Sequence, residues 1–401
     1  MSKSNGVKIA IFSDNFYPEL SGISDSIVLL ARELAKLNHE INFYVPKYSA
    51  KNYQVLNLAN QELDLGEKIK IKRLFSLPTP FISNYSRIVI PINFPRLFKY
   101  FKPDIIHTQL FFGVGLEALA AAKYNKLPII GTNHTAISEF IKLIPFQPNF
   151  LKKASLNYAV WYYNNCNFVT APSQSVFKEM SAYGFNKSHK IISNPIDTDI
   201  FCPSVDKLEY KKKFSLSGNT IVYAGRLSLE KNIDVLIKAI AIAKKRISDI
   251  NLAIAGSGQL EAELRELVKE LGIENEVKFF GTLSQADLAK LYQASEIFSI
   301  ASTSETQSLT LMQAMSCALP AVVVDERALP EYVNKKNGFV VKAGDEKALA
   351  EKFILLLKNS ELRKELSQDA ALYVKQFSAS NIAKEWERLY EKIIEDYKNR
   401  A

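Results

Sequence analysis

The stretch Asn219-Thr220-Ile221-Val222-Tyr223-Ala224-Gly225-Arg226-Leu227-Ser228-Leu229-Glu230-Lys231-Asn232, continued by Ile233, Leu236, Ile237 and Ile240, decides the architecture. An apolar run with β-branched and aromatic residues ends in glycine, and apolar residues then return at helical spacing. A strand, a polar loop and an amphipathic helix therefore follow one another. The loop carries two cations, Arg226 and Lys231, at the carboxyl end of a parallel strand, where open α/β sheets bind their ligands. Arg226 can fork onto phosphate oxygens, and Lys231 can supply a point charge. The plainer alternative is an Arg226 paired with a nearby acid and a solvated Lys231.

The same alternation appears at the other end of the chain, where Val7 to Ser13 is followed by a helix through Ile27, Leu30 and Leu34. Two doubly wound α/β sheets are implied. With 401 residues, 47% of them apolar, the chain is long enough for two or three domains with separate cores. Pro195 and the acids Asp197 and Asp199 punctuate a boundary. The expected division is residues 1–198, residues 199–375 and a last helical segment 376–401 around Ile382 to Ile394.

A second motif is Ser302-Thr303-Ser304-Glu305-Thr306-Gln307-Ser308-Leu309-Thr310-Leu311-Met312-Gln313-Ala314-Met315. Ala294 to Ala301 predicts a short buried strand before it, and helical spacing follows it, so Glu305 falls at a strand-to-helix turn. Ser304 with Gln307 matches a capping box, which leaves other first-turn N–H groups facing outward. Those groups and the positive dipole end suit a phosphate. Gln313 is eight residues beyond Glu305, so at about 1.5 Å per residue the two side chains would stand roughly 12 Å apart. That span fits a sugar at one end of a diphosphate and a ribose at the other. The plain alternative is an ordinary amphipathic helix with an acid in its first turn.

Cys166, Cys202 and Cys317 form no C-x-x-C pair, and His39, His107, His134 and His189 are scattered. Neither a disulfide framework nor a metal site is expected. The polar start, Met1 to Gly6, enters a strand without the apolar core of a signal peptide, and no run is long and apolar enough to span a bilayer. A reducing, cytoplasmic setting is expected.

The net charge of +9 is uneven, since residues 1–200 hold 22 Lys+Arg against 14 Asp+Glu. From Lys68 to Pro103 there are basic residues such as Lys72, Arg73 and Arg87 and no acid, interleaved with Phe75, Phe81, Ile82, Tyr85 and Phe98. Between Phe140 and Lys178 lie Lys152, Lys153 and Trp161, again without an acid. An anionic bilayer surface rewards basic residues beside exposed aromatics. A core role for the aromatics is the alternative. Nucleic acid is not expected, because no recognised motif accompanies the charge.

Taken together, Gly225-Arg226-Leu227 with Lys231-Asn232, Ala255-Gly256-Ser257-Gly258, Phe279-Phe280-Gly281, the Glu305 to Gln313 stretch and Asn337-Gly338-Phe339-Val340-Val341 resemble family 4 retaining GT-B glycosyltransferases. Tyr17-Pro18-Glu19-Leu20-Ser21-Gly22-Ile23 and Gly131-Thr132-Asn133-His134-Thr135 extend the likeness into the amino half. The resemblance implies two Rossmann-like domains facing across a cleft, with the last helix crossing back to the first domain. It implies a donor site of Ser21, Gly22, Arg226, Lys231, Gly256, Gly281, Glu305, Gln307, Ser308, Leu309 and Gln313. By the same resemblance Arg226, Lys231 and Glu305 act in catalysis, His134 faces the donor sugar, and no metal or other cofactor is required. His134 satisfying a buried backbone group is the alternative. His107 is expected in a structural or acceptor-side role, and Asp25 as a helix cap or an acceptor contact. One departure is Gln313, where the family usually has glutamate; its carbonyl still accepts a ribose hydroxyl, without charge.

The wording around Gly131–Thr135, Ser304–Gln307 and Arg327-Ala328-Leu329-Pro330-Glu331-Tyr332-Val333 is similar to bacterial diacylglycerol glucosyltransferases. The implied reaction moves a hexose, first of all glucose from UDP-glucose, to a lipid acceptor at the inner face of the cell membrane. Lys72, Arg73, Phe75, Arg87, Lys152, Lys153 and Trp161 are the expected membrane and acceptor contacts. A soluble or polysaccharide acceptor is the main alternative, and a sugar-nucleotide epimerase on the same fold the remote one.

Overall fold

Short Ile- and Val-rich runs buried on both faces build parallel sheets, because crossover helices cover each side. The computed structural model describes residues 6–19, 21–56, 58–79, 87–135 and 149–400. Leu20, Phe81, Ile82, Tyr85, the segment 136–148 and the side chain of Lys152, all named above, lie outside the described residues.

The first sheet has seven strands in the order Ile69–Leu74, Glu40–Pro46, Lys8–Phe12, Ile105–Thr108, Ile129–Thr132, Phe168–Ala171 and His189–Ile191. All its pairings are parallel. The second runs Val277–Phe279, Ile250–Ala255, Asn219–Ala224, Ile297–Ile300, Ala321–Val324 and Gly338–Val341, likewise parallel. Each sheet is doubly wound, as its sequence pattern predicts, and each has its own hydrophobic core. In the first, the order reverses between Lys8–Phe12 and Ile105–Thr108; in the second, between Asn219–Ala224 and Ile297–Ile300. These are the switch points at which doubly wound sheets bind ligands.

The chain divides into a unit that ends at Pro195 and resumes at Ala379, and a unit of Ile196–Ser378. The sequence placed these joins at 198/199 and 375/376. Ile196 and Ser378 form a parallel bridge, and the Ile196 N–H donates to the Phe377 carbonyl at 2.9 Å. Entry and exit segments of the second unit are thus clasped where the chain leaves it.

The last helix, Ala379–Lys398, belongs to the first unit and packs on the helix Gly22–Lys36. Its stripe of Ile382, Trp386, Leu389, Tyr390 and Ile393 is buried. Two neutral histidines fasten it. His39 accepts the Val7 N–H on Nδ1 at 3.0 Å, which leaves Nε2–H to donate to Glu387 at 3.2 Å. His107 meets the Tyr390 hydroxyl through Nδ1 at 2.7 Å and lies 4.4 Å from the Trp386 ring.

Burial, helped by the nearby His134, pushes the His107 pKa down from 6.5 to about 3. The unfolded chain therefore binds a proton that the folded chain refuses. Stability from this group is fully present above pH 6.5 and falls as the pH drops toward 3, by about 1.4 kcal/mol per pH unit. Calorimetric unfolding between pH 7 and pH 4 is expected to show a steeper loss of stability for the native chain than for His107→Gln.

Candidate active site

The second unit's site forms from the loops that follow its two switch-point strands. The first leaves Asn219–Ala224 through Gly225, whose φ of +152° suits glycine. The Tyr223 hydroxyl donates to the Arg226 carbonyl at 2.9 Å and fixes the loop's entry. Asn232, in the left-handed region at φ +48°, ends the loop and opens the helix Ile233–Ala243. The second loop runs from Ile297–Ile300 to the helix Leu309–Ser316.

Three contacts tie the loops together. Thr303 N–H donates to the Glu230 carbonyl at 3.1 Å, Asn232 Nδ2 donates to the Ala301 carbonyl at 3.1 Å, and Lys231 Nζ lies 2.6 Å from Glu305 Oε1. The Lys231 and Glu305 side chains are only 14% and 10% exposed, so this charge pair is largely removed from water. The Glu305 backbone is held from the other side, where its carbonyl accepts the Ala328 N–H at 3.2 Å. Arg226 differs: its side chain is 72% exposed and makes only a long 3.4 Å contact with Glu230. Glu230 is itself held by the Ser228 hydroxyl at 2.7 Å. One cation is therefore locked against an acid, and the other projects into solvent.

The helix is capped four residues later than expected. Ser308 is the N-cap, its hydroxyl accepting the Leu311 N–H at 3.3 Å, while Ser304 turns to Ser302 within the loop. Glu305 thus precedes the helix by four residues, and the helical rise that gave roughly 12 Å to Gln313 does not apply. The helix N-terminus therefore lies at Ser308 and Leu309, with the Leu309 and Thr310 N–H groups beyond any intrahelical carbonyl. Gln307 is buried beside it, and Gln313 lies one turn further along the helix, partly exposed.

Gly256 and Gly281 meet at the next two strand ends. The Gly256 N–H donates to the Gly281 carbonyl at 2.7 Å, and a Cβ on Gly256 would stand 1.9 Å from the Gly225 carbonyl oxygen.

In the first unit, Ser21 caps the helix that Gly22 opens, through a capping box with Ser24, and also donates to Asn15 Oδ1 at 2.9 Å. Ser21 therefore fills the capping position open to Asp25, which lies in the first turn. His134 follows Ile129–Thr132, in a turn where Asn133 Oδ1 accepts the Thr135 N–H at 3.0 Å. Its Nε2 lies 2.7 Å from Gln109 Oε1, and burial lowers its pKa from 6.5 to about 4. His107 takes the structural of its two expected roles, with the contacts to the last helix already described.

Two groups that the sequence did not single out stand at this switch point. Asp14, two residues past Lys8–Phe12, accepts the Val114 N–H at 2.8 Å. Burial raises its pKa to about 6, against the lowering effect of the Val114, Gly115 and Phe112 N–H groups. Gln109 is the other; its signal is the two-residue spacing from His107, which puts both on one side of an extended chain.

The membrane-facing set divides. Arg73 is engaged inside the unit, contrary to its expected role: its guanidinium bonds Glu62 at 2.7 and 2.8 Å and the Pro46 carbonyl at 3.0 Å, against the Phe16 and Tyr48 rings. Arg87 is likewise spent on Ser76, linking the antiparallel pair Ser76–Pro78 and Arg87–Val89. Lys72, Phe75, Lys153 and Trp161 are exposed. Leu77 and Ile88 face each other across that pair, both exposed, with Ile90 and Ile92 exposed just beyond.

Two doubly wound parallel units with paired switch-point loops of this kind define a GT-B glycosyltransferase. The sequence pattern of Glycosyltransferase Family 4 matches residues 20–200, and that of glycosyl transferases group 1 matches residues 205–372. The chain belongs to this glycosyltransferase family and is a transferase enzyme. It is 25% identical over 401 residues to the alpha-monoglucosyldiacylglycerol synthase of Acholeplasma laidlawii, covering 97% of this chain and 98% of that one. The enzyme of the same name from Streptococcus pneumoniae is 27% identical over 82% of this chain and 74% of its own. The Anabaena protein HepE, solved with UDP and glucose, superimposes with a TM-score of 0.75 at 17% identity, over 96% of this chain and all of that one. Among the described residues no helix is long and apolar enough to cross a membrane.

The close approach at Gly256 yields a direct prediction. Gly256→Ala is expected to cost about 2 kcal/mol or more, because a methyl cannot fit against backbone without moving a strand end. Urea unfolding of the variant beside the native chain would report the lost stability.

Proposed function

We propose that this enzyme transfers glucose from UDP-glucose to diacylglycerol in an anionic membrane, with retention at the anomeric carbon. The observation that carries the donor half is the pair of loops at the second sheet's switch point, with Arg226 exposed and Lys231 beside Glu305. Arg226, Lys231 and the Leu309 N–H would hold the diphosphate and stabilise the charge that develops as UDP departs. Glu305 would orient the sugar hydroxyls, and Gln313 would accept from the ribose. Gly256 and Gly281 shape the floor, while Ser21, Gly22 and His134 would meet the donor from the first unit. The acceptor hydroxyl forms the new bond to the anomeric carbon as the bond to UDP breaks, and its proton passes to a donor phosphate oxygen.

The names of the two synthases support the lipid acceptor. So does the exposed apolar edge of Phe75, Leu77, Ile88, Ile90 and Ile92 beside Lys72. Peripheral binding to the inner membrane face follows from this reading. With cations serving the diphosphate, no metal is assigned.

Radiolabelled UDP-glucose incubated with anionic vesicles containing diacylglycerol tests the proposal. Labelled glycolipid is expected, unchanged by chelator and reduced about a hundredfold or more in Glu305→Ala and Lys231→Ala. Phe75→Ser with Ile92→Ser should weaken vesicle sedimentation while leaving UDP binding intact. Transfer only to a soluble acceptor would overturn the lipid assignment, and loss of transfer on chelation would overturn the cation-only diphosphate site.

A further inference from the structure

A chain of buried side chains runs from the last helix to His134, entirely within the first unit. Tyr390 Oη lies 2.7 Å from His107 Nδ1, and His107 Nε2 lies 3.1 Å from Gln109 Nε2 and 2.7 Å from Thr132 Oγ1. Gln109 Oε1 then lies 2.7 Å from His134 Nε2. Thr132 continues to the Thr170 hydroxyl at 2.7 Å. His107, Gln109, Thr132, Thr170 and Tyr390 are all at most 3% exposed.

The two ends of an amide are not equivalent. Its nitrogen only donates and its oxygen only accepts, so the orientation of Gln109 assigns a proton on each neighbouring imidazole. The Gln109 N–H donates to His107 Nε2, which must carry a lone pair, so the His107 proton sits on Nδ1 and points at Tyr390. The Gln109 carbonyl accepts from His134, whose proton must sit on Nε2. The backbone holds Gln109 in place, its N–H donating to the Phe12 carbonyl at 2.9 Å.

We propose that Gln109, held by His107 and through it by Tyr390, is a positioning residue that fixes His134 as the neutral Nε2–H tautomer in one ring orientation. The inference rests on the proposed role of His134 at the donor sugar, and deepens it by giving the last helix a part in the site. Burial disfavours a charge on either ring, and His134 further lowers the His107 pKa, which keeps the chain in its neutral pattern. Among the described contacts, the rings facing His107 are Trp386 and Tyr390, neither charged at neutral pH.

Imidazole nitrogen shifts of the protein labelled with 15N-histidine test the assignment directly, since the chain has only four histidines. The expected result is His134 protonated on Nε2 and His107 on Nδ1. In Gln109→Ala the His134 shifts should become averaged between tautomers, with kcat for transfer down about tenfold or more and KM for UDP-glucose within about threefold. Gln109→Glu keeps the shape but brings a carboxylate to Nε2, so the acidic limb of the kcat profile should move up by about one pH unit. Tyr390→Phe should shift His107 and lower kcat less than Gln109→Ala does. A wild-type His134 protonated on Nδ1, or a tautomer unchanged in Gln109→Ala, overturns the proposal. A wild-type enzyme that transfers no sugar to lipid defeats the functional reading instead, and the tautomer measurement stands apart from that result.

Discussion

The close approach of three parallel strand ends in the second unit is the constraint on which its site depends. Gly256 packs against the Gly225 carbonyl and donates to Gly281, and Gly258 lies against Leu227, whose carbonyl oxygen would stand 2.3 Å from an added Cβ. The Leu227 N–H and carbonyl are both used, by Ser257 and Leu260, so the loop that carries Arg226 and Lys231 is pinned along its inner side. Side chains at these glycines would force the strands apart and swing Lys231 away from Glu305. A tight backbone floor fixes where the loop presents both cations, and the Lys231 side chain is held in turn by Glu305.

The first unit reaches a comparable rigidity by polar means. His39 and His107 hold the last helix through Glu387 and Tyr390, each ring using both nitrogens. Buried imidazoles in this state are costly to protonate, so the attachment of Ala379–Lys398 is sensitive to acid in a way that its apolar stripe is not. The same helix that completes the core therefore also orders polar groups at the carboxyl edge of the sheet, where Gln109 and His134 stand.

Much of this was legible in the sequence, and for identifiable reasons. Strand, glycine, polar loop and helix follow one another at Asn219 to Ile240 with the periods that parallel α/β units require, and the two sheets have that form. The pairing of Lys231 with Glu305 was not legible, because the residues are 74 apart and only the adjacency of the two switch-point strands brings them together. The cap was misplaced because Ser304 and Ser308 both precede the helix, and the choice lies in which hydroxyl reaches a first-turn N–H. Arg73 has no acid within its own basic run, and its partner Glu62 lies just outside that run. Gln109 carries no signal beyond its two-residue spacing from His107; its meaning comes from the two imidazoles on either side.

In the proposed donor site, the Lys231–Glu305 pair would set the terms on which a phosphate enters. Two nearly buried charges 2.6 Å apart satisfy each other, so neither group presents a strong field to distant solvent. Arg226, exposed and only loosely paired, is the cation free to make the first contact with an incoming anion. With phosphate oxygens near Lys231, the ammonium would share its donors between phosphate and Glu305, and the carboxylate would gain capacity to accept from hydroxyl groups. Removal of Glu305 alone would leave a desolvated ammonium without its counter-charge, and removal of Lys231 alone a buried carboxylate. The two residues act as one unit, so the double substitution should cost less than the sum of the two single ones, and should approach that sum only to the extent that each also meets the donor independently.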